Sequence, residues 1–168
     1  MLAVEAHEKG HPIVRPLFYE FQHDEDTYRI DDEYMVGKSL IYALMLQGEE
    51  RKVYVPREVQ WVDFWDGGEV RGWVDSRHEL PIYVRRGSII PLSDGLLVYG
   101  DGRVVYNGVV IQSESEKITF SKSFYLGSLL LYSIPRKIFV DGKEMDFKIN
   151  GKITAVKIGS EVKEVKVV

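Results

Sequence analysis

The sequence predicts an all-β protein: two antiparallel β-sandwich modules, residues 12–93 and 94–168, preceded by a short helix over 1–11. Three observations predict it. Short apolar runs such as Val53-Tyr54-Val55 and Ile138-Phe139-Val140 are separated by Gly, Pro and Asp, which is the punctuation of strands. The pairs Asp101-Gly102, Asn107-Gly108, Asp141-Gly142 and Asn150-Gly151 all fall in the second half. Such pairs accept positive φ and favour two-residue hairpins. The texture also changes near 93–95: Asp plus Glu falls from seventeen in 1–93 to nine in 94–168, while Lys plus Arg stays at eleven in each.

Each element has its own signal. Residues 2–9 read as a helix stopped by Gly10, with Pro12 just beyond. About two turns of helix are marginal alone. Ile13 to Phe21 reads as extended, with Pro16 arguing for an edge. Gln22 to Thr27 is a polar loop, and Ile30 to Gly37 suggests a short helical turn. Strands are expected at Ser39–Leu46, Val53–Pro56, Gln60–Trp65 and Pro81–Arg85. Leu80 to Leu92 reads as two apolar strands joined at Arg85-Arg86-Gly87, with Gly87 relaxing the bend. Two adjacent arginines between buried strands cannot both stay dry without partners. Alternating runs at 137–140, 153–158 and 162–168 complete the second module.

Composition excludes several classes. With 45% hydrophobic residues in 168, the chain can build a core. A net charge of −4 has the wrong sign for nucleic acid, so no such partner is expected. There is no apolar run of about 18 residues, so no membrane partner is expected. The first residues lack a secretory pattern, which points to a cytoplasmic location. Without cysteine there are no disulfides or thiol nucleophiles.

The wording of the first half carries a resemblance. Glu5-Ala6-His7-Glu8-Lys9-Gly10-His11-Pro12 through Phe21 is similar to the "YEAHxxGxPVxRPLFxEFP" passage of glycoside hydrolase family 31, the α-glucosidase and α-xylosidase family. Tyr28 to Gly37 resembles its "xIDxQFMxG" block. Ser39 to Leu46 stands where the family has "LLVAPVL", with Leu44 in place of the usual proline. Arg51 to Pro56 and Trp61 to Trp65 resemble "RxVYLPxGxWYDFW", and Leu80 to Leu92 resembles "LPIFVRAGSIIPL". Residues 94–168 are similar mainly at Val140-Asp141-Gly142-Lys143-Glu144, and the wording is nearest the archaeal α-glucosidases. The resemblance implies that 1–11 is a remnant of the last helix of a β/α barrel. It likewise implies that 12–93 is the proximal and 94–168 the distal C-terminal β-sandwich.

Retaining glycosidases need two carboxylates about 5 Å apart around the sugar. In the family both are barrel aspartates, which would precede Met1, so the resemblance implies no catalytic centre in this chain. Asp63 in Trp61-Val62-Asp63 and Asp75 in Trp73-Val74-Asp75 copy the W-x-D spacing of the family nucleophile, but neither is followed by Met-Asn. Both read as structural aspartates beside tryptophans.

No cofactor or metal is expected. His7-Glu8-Lys9-Gly10-His11 spells H-E-x-x-H, yet that zinc motif needs a helix through both histidines, which Gly10 and Pro12 disfavour. Asp24, Glu25, Asp26, Asp31, Asp32 and Glu33 form an acidic run without the glycine and terminal glutamate of an EF-hand; a solvated loop is expected.

Trp61, Trp65 and Trp73 are candidate sugar-stacking residues. On a regular strand Trp61 and Trp65 would share a face, and a buried aromatic pair is the plainer expectation. Arg15, Phe18, Tyr19, Arg85 and Arg86 are candidate barrel contacts. The expected partners are a barrel-bearing α-glucosidase chain in trans and a second copy of the chain. The leading reading is a non-catalytic C-terminal β region; the alternative is a stand-alone carbohydrate-binding module.

Overall fold

The computed structural model describes residues 2–44, 50–76 and 78–168. The chain is mostly strand and divides into two compact units, Met1–Arg86 and Gly87–Val168.

Unit 1 begins with helix α1 (Leu2–Lys9), which buries no residue and ends where the Gly10 amide donates to Ala6 O. Strand β1 (Val14–Pro16), helix α2 (Leu17–Glu20) and a 3₁₀ turn at Glu25–Arg29 follow. Then come β2 (Glu33–Val36), β3 (Leu40–Ala43) and β4 (Arg51–Val55). The unit closes with β5 (Trp61–Asp63), β6 (Glu69–Val70), β7 (Gly72–Ser76) and β8 (Ile82–Arg85).

The helical turn expected over 30–37 is instead strand β2. Glu33-Tyr34-Met35-Val36 alternates buried and half-buried positions, the period of a strand. The one-turn helix lies earlier, at 25–29, where the Asp24 side chain accepts the Asp26 amide. The strand expected at 39–46 is seen as Leu40–Ala43, and positions 45–46 lie outside the described residues.

Among the described residues, unit 1 has a six-stranded sheet in the order β1-β2-β3-β8-β5-β6 and a two-stranded sheet, β4-β7. Every pairing in both is antiparallel. Met35, Ile41, Ala43, Trp61 and Tyr83 from the larger sheet pack with Val53 and Val55 from the smaller one. The two layers are therefore a small sandwich, closed by apolar side chains from both inner faces.

Register makes one end of that interior polar. Glu33 lies opposite Ala43, and Asp63 lies opposite Tyr83. On the other layer Arg51 lies opposite Ser76. Glu33, Asp63, Tyr83 and Ser76 are all buried.

Unit 2 runs from β9 (Ser88–Leu92) through β10 (Gly95–Tyr99), β11 (Gly102–Tyr106) and β12 (Val109–Glu114). The long strand β13 (Lys117–Leu131) leads to β14 (Ile138–Val140), β15 (Lys143–Met145) and β16 (Phe147–Asn150). The chain ends in a second long strand, β17 (Ile153–Val167). β13 and β17 pair antiparallel, with register shifts between Thr119 and Phe124 and between Leu126 and Ser128. Such irregularities bend and twist long strands. The bends let one hydrogen-bonded sheet enclose a single core of Leu96, Ile111, Ile118, Leu126, Leu129 and Val165 with their neighbours.

Leu80 to Leu92 is not one hairpin. β8 belongs to unit 1, while β9 pairs with β10, with Leu92 opposite Gly95. The change of texture near 93–95 therefore marks the turn Ser93-Asp94. The units divide earlier, at Arg86 and Gly87, rather than at 93. Asn107-Gly108 and Asp141-Gly142 both have positive φ and close two-residue hairpins. The third such hairpin, β12–β13, turns on Ser115-Glu116, neither of which is a favoured positive-φ residue. Asn150 pairs with Ile153, so that turn is Gly151-Lys152, one position later than read.

Candidate functional site

The aspartates that mimic a nucleophile motif are placed apart and tied down. Asp63 ends β5 facing inward; its Oδ1 accepts the Trp65 amide at 2.8 Å and its Oδ2 lies 3.5 Å from His78 Nε2. Burial pushes its carboxyl above the usual carboxylate range. Asp75 is exposed on β7, between inward-facing Val74 and Ser76. One carboxyl faces the interior and the other faces out, so the two cannot flank a sugar ring as acid and nucleophile.

The same Asp63 corrects the expectation for the tryptophans. Its bond to the Trp65 amide is a local turn that ends the strand two residues early. Trp61 and Trp65 therefore do not share a face. Trp61 is 1% exposed, donates Nε1–H to Pro56 O and meets Phe21 edge-on, so it is a core residue and cannot stack on a sugar. Trp65 is 45% exposed, between Phe64 and His78, with Nε1–H donated to Leu80 O.

Trp73 is 52% exposed on the outer face of β7. Its ring lies 5.2 Å from that of Tyr54, directly opposite on β4. Tyr54 is fully packed beneath Leu17 and Ile30, and its hydroxyl donates to Asp24 Oδ2 at 2.7 Å. Burial and that aspartate push its phenol well above the ordinary tyrosine range. Arg57 stands over the Tyr54 ring and reaches Asp26 Oδ2 at 3.9 Å. Trp73 is thus an exposed indole on a fixed base, with a guanidinium and two carboxylates close to that base.

Of the candidate barrel contacts, Arg15 is 2% exposed. It pairs with Glu20 at 2.7 Å, donates to Gly37 O and stacks over Tyr19. It braces β1 against α2 and has no guanidinium surface to offer a partner. Tyr19 is half-buried, its hydroxyl 2.7 Å from His11 Nδ1. Phe18 is exposed and stacks face to face on exposed Tyr28 at 5.5 Å. Arg85 lies over the Phe21 ring, and Arg86 is exposed with its amide donated to Gln60 O.

The acidic run is partitioned rather than a uniformly solvated loop. Asp24 serves Tyr54, Asp32 takes Arg51 Nη2 at 2.7 Å, and Glu33 points inward. Among the described residues no group of three or more His, Asp or Glu is placed to hold a metal ion. Helix α1 stops at Lys9, so His7 and His11 do not share a helical turn. The feature that sequence reading missed is the buried polar end of unit 1. Its one signal is Glu33 at an inward position of an otherwise apolar alternation. Among the described residues no helix is long and apolar enough to cross a membrane.

Comparison with known proteins gives this arrangement its family. Residues 10–90 match the model of the glycosyl hydrolase family 31 C-terminal domain. Over 151 residues the chain is 48% identical to an α-glucosidase of Saccharolobus solfataricus, covering 86% of this chain and 22% of that protein. It is 40% identical over 100 residues to α-glucosidase 2 of Bacillus thermoamyloliquefaciens, covering 55% of this chain and 13% of that protein. In fold it is similar to a cycloalternan-forming enzyme from Listeria monocytogenes, with a TM-score of 0.76 at 19% identity over 99% of this chain and 21% of that one. A family 31 dextranase from Flavobacterium johnsoniae gives a TM-score of 0.70 at 19% identity, covering 98% and 30%. The chain thus spans between about an eighth and a third of the length of these relatives. It belongs to glycoside hydrolase family 31, and residues 10–90 are that family's C-terminal domain.

Proposed function

We propose that these 168 residues are a non-catalytic β region that braces the catalytic barrel of a family 31 α-glucosidase. The observation that carries this reading is the 48% identity to an α-glucosidase of which the chain matches only 22%. The placement of Asp63 and Asp75 supports it, since neither carboxyl can work with the other on a glycoside. Phe18 and Tyr28, stacked and exposed, are the side chains of unit 1 best disposed to meet a partner. A second copy of the chain competes for the same surface, because exposed apolar groups drive association.

The test is reassembly. The Saccharolobus α-glucosidase, shortened by the segment this chain matches, is mixed with the chain. Co-elution and recovery of glucosidase activity, both weakened by Phe18→Asp, are expected. Separate elution with no recovered activity would count against the reading.

A second reading, a carbohydrate-binding module, rests on Trp73. A half-exposed indole held on a buried tyrosine, with Arg57 and Asp26 near that tyrosine, offers an apolar face with polar groups in reach of hydroxyls. Tryptophan fluorescence titrated with maltotetraose should then change, and Trp73→Ala should remove the change. A flat titration at millimolar sugar would dismiss this reading.

A further inference from the structure

We propose that Glu33 makes closure of the two layers of unit 1 proton-dependent: with its buried carboxyl neutral the layers stay closed, and where it ionises they open more readily, because opening returns the charge to water. The effect belongs to unit 1 alone and stands with or without a catalytic partner.

The geometry begins with a bond that spans the layers. Glu33 sits on β2 in the larger sheet, 1% exposed, and its Oε1 accepts the main-chain amide of Tyr54, on β4 in the smaller sheet, at 2.8 Å. Its other oxygen, Oε2, is buried and makes no hydrogen bond among the described residues. The hydroxyl of Tyr83, at the same polar end of the interior, is also buried, next to Ser76. A buried carboxylate with a bare oxygen is costly, whereas the neutral acid turns that oxygen into an O–H donor.

Among the described residues, the charges nearest Glu33 oppose one another. Arg51, on β4, brings Nη2 within 3.7 Å of Oε1, but the same nitrogen is 2.7 Å from Asp32 Oδ2. Its Nη1 donates to Leu44 O. The cation is therefore shared, and held more closely by Asp32. Asp32, next to Glu33 on the chain, adds repulsion. From β5 comes Asp63, a second carboxyl, with His78 turned toward it. From β7 comes the neutral Ser76, and from β8 the neutral Tyr83, whose own phenol is pushed up to about 12 by burial.

Desolvation agrees with the geometry, raising the Glu33 carboxyl to about 7 against the Tyr54 amide and Arg51, which pull the other way. The sign follows from linkage. A carboxyl whose folded value lies above its unfolded 4.5 binds its proton more tightly in the folded state. Stability is then highest below the unfolded value, falls as pH rises through the window up to about 7, and levels off above it.

The Tyr54 amide reports on the closure directly. Hydrogen exchange is measured on the whole chain, wild type and Glu33→Gln, near pH ~5.5 and ~8.5, corrected for intrinsic exchange. Gln keeps an acceptor for Tyr54 and cannot ionise. The expected result is a loss of Tyr54 protection of roughly tenfold or more from the lower to the higher pH in the wild type, and under about threefold in Glu33→Gln. Flat protection in the wild type, or an equal loss in the variant, overturns the proposal. So does a variant less stable than wild type at the higher pH, because an ion pair with Arg51 would then be the stabilising state. Should the variant not fold, the carboxyl carbon shift of Glu33 in the wild type decides: a midpoint near neutrality supports the proposal, and one below about 5 overturns it.

Discussion

The two units reach a β fold by different means. Unit 1 buries Arg15, Glu33 and Asp63 among its apolar residues, whereas the buried polar side chains of unit 2 are the uncharged Ser88, Ser113 and Thr154. Unit 1 uses short strands in two separate sheets. Unit 2 uses two fifteen-residue strands and four hairpins whose turns hold a residue at positive φ. The contrast teaches where specificity resides. In unit 2 favourable turn residues set register at Asn107-Gly108 and Asp141-Gly142, and one continuous apolar core joins the strands. In unit 1 short strands say little by themselves, so buried charge pairs and side chain–main chain bonds choose among alternatives. A buried polar group is strongly bound to its partner because it is costly without one.

Removing a large core side chain should have the largest effect. Trp61→Ala should lower unfolding stability by about 4 kcal/mol, while Trp73→Ala, on the outer face, should change it by less than about 1 kcal/mol. Urea unfolding of the whole chain measures both. Equal effects would contradict the assignment of Trp61 to the core and Trp73 to the surface.

Charge burial comes next. Arg15→Ala leaves Glu20 and Gly37 O without their donor and should cost about 3 kcal/mol. A cost below about 1 kcal/mol would mean that unit 1 does not depend on its buried charges.

Turn chemistry in unit 2 should matter less per residue. Asp141 accepts the amides of Lys163 and Glu164 at 3.1 and 2.8 Å, so Asp141→Ala should cost about 1.5 kcal/mol. Thermal unfolding that moves no further than for an exposed-site control would show those bonds to be idle.

The smallest effect has the opposite sign. Glu116 holds φ at +70°, which glycine adopts without penalty. Glu116→Gly should stabilise the chain by about 1 kcal/mol. A loss of stability would mean that its side chain matters more than its backbone.

The contrast also explains what was legible in the sequence. Asn107-Gly108 and Asp141-Gly142 announced their hairpins because those residue types tolerate the required φ. Ser115-Glu116 gave no such signal, because there the pairing of β12 with β13 imposes the turn on unfavourable residues. β2 was hidden because Glu33, a charged residue, occupies an inward position and blurs the alternation. Trp65 left the strand because Asp63 turned the backbone, an event set by one side chain–main chain bond rather than by period. The family wording identified the first unit well. It could not show that Leu80 to Leu92 crosses from one unit to the next, because both strands are apolar and only their pairing partners separate them.

This chain belongs to glycoside hydrolase family 31, and we propose that it does not itself carry the chemistry. The most direct measurement is hydrolysis of p-nitrophenyl α-glucoside by the purified chain alone. No release of p-nitrophenol above a buffer control is expected. Turnover that is abolished by Asp63→Asn or Asp75→Asn would contradict the proposal.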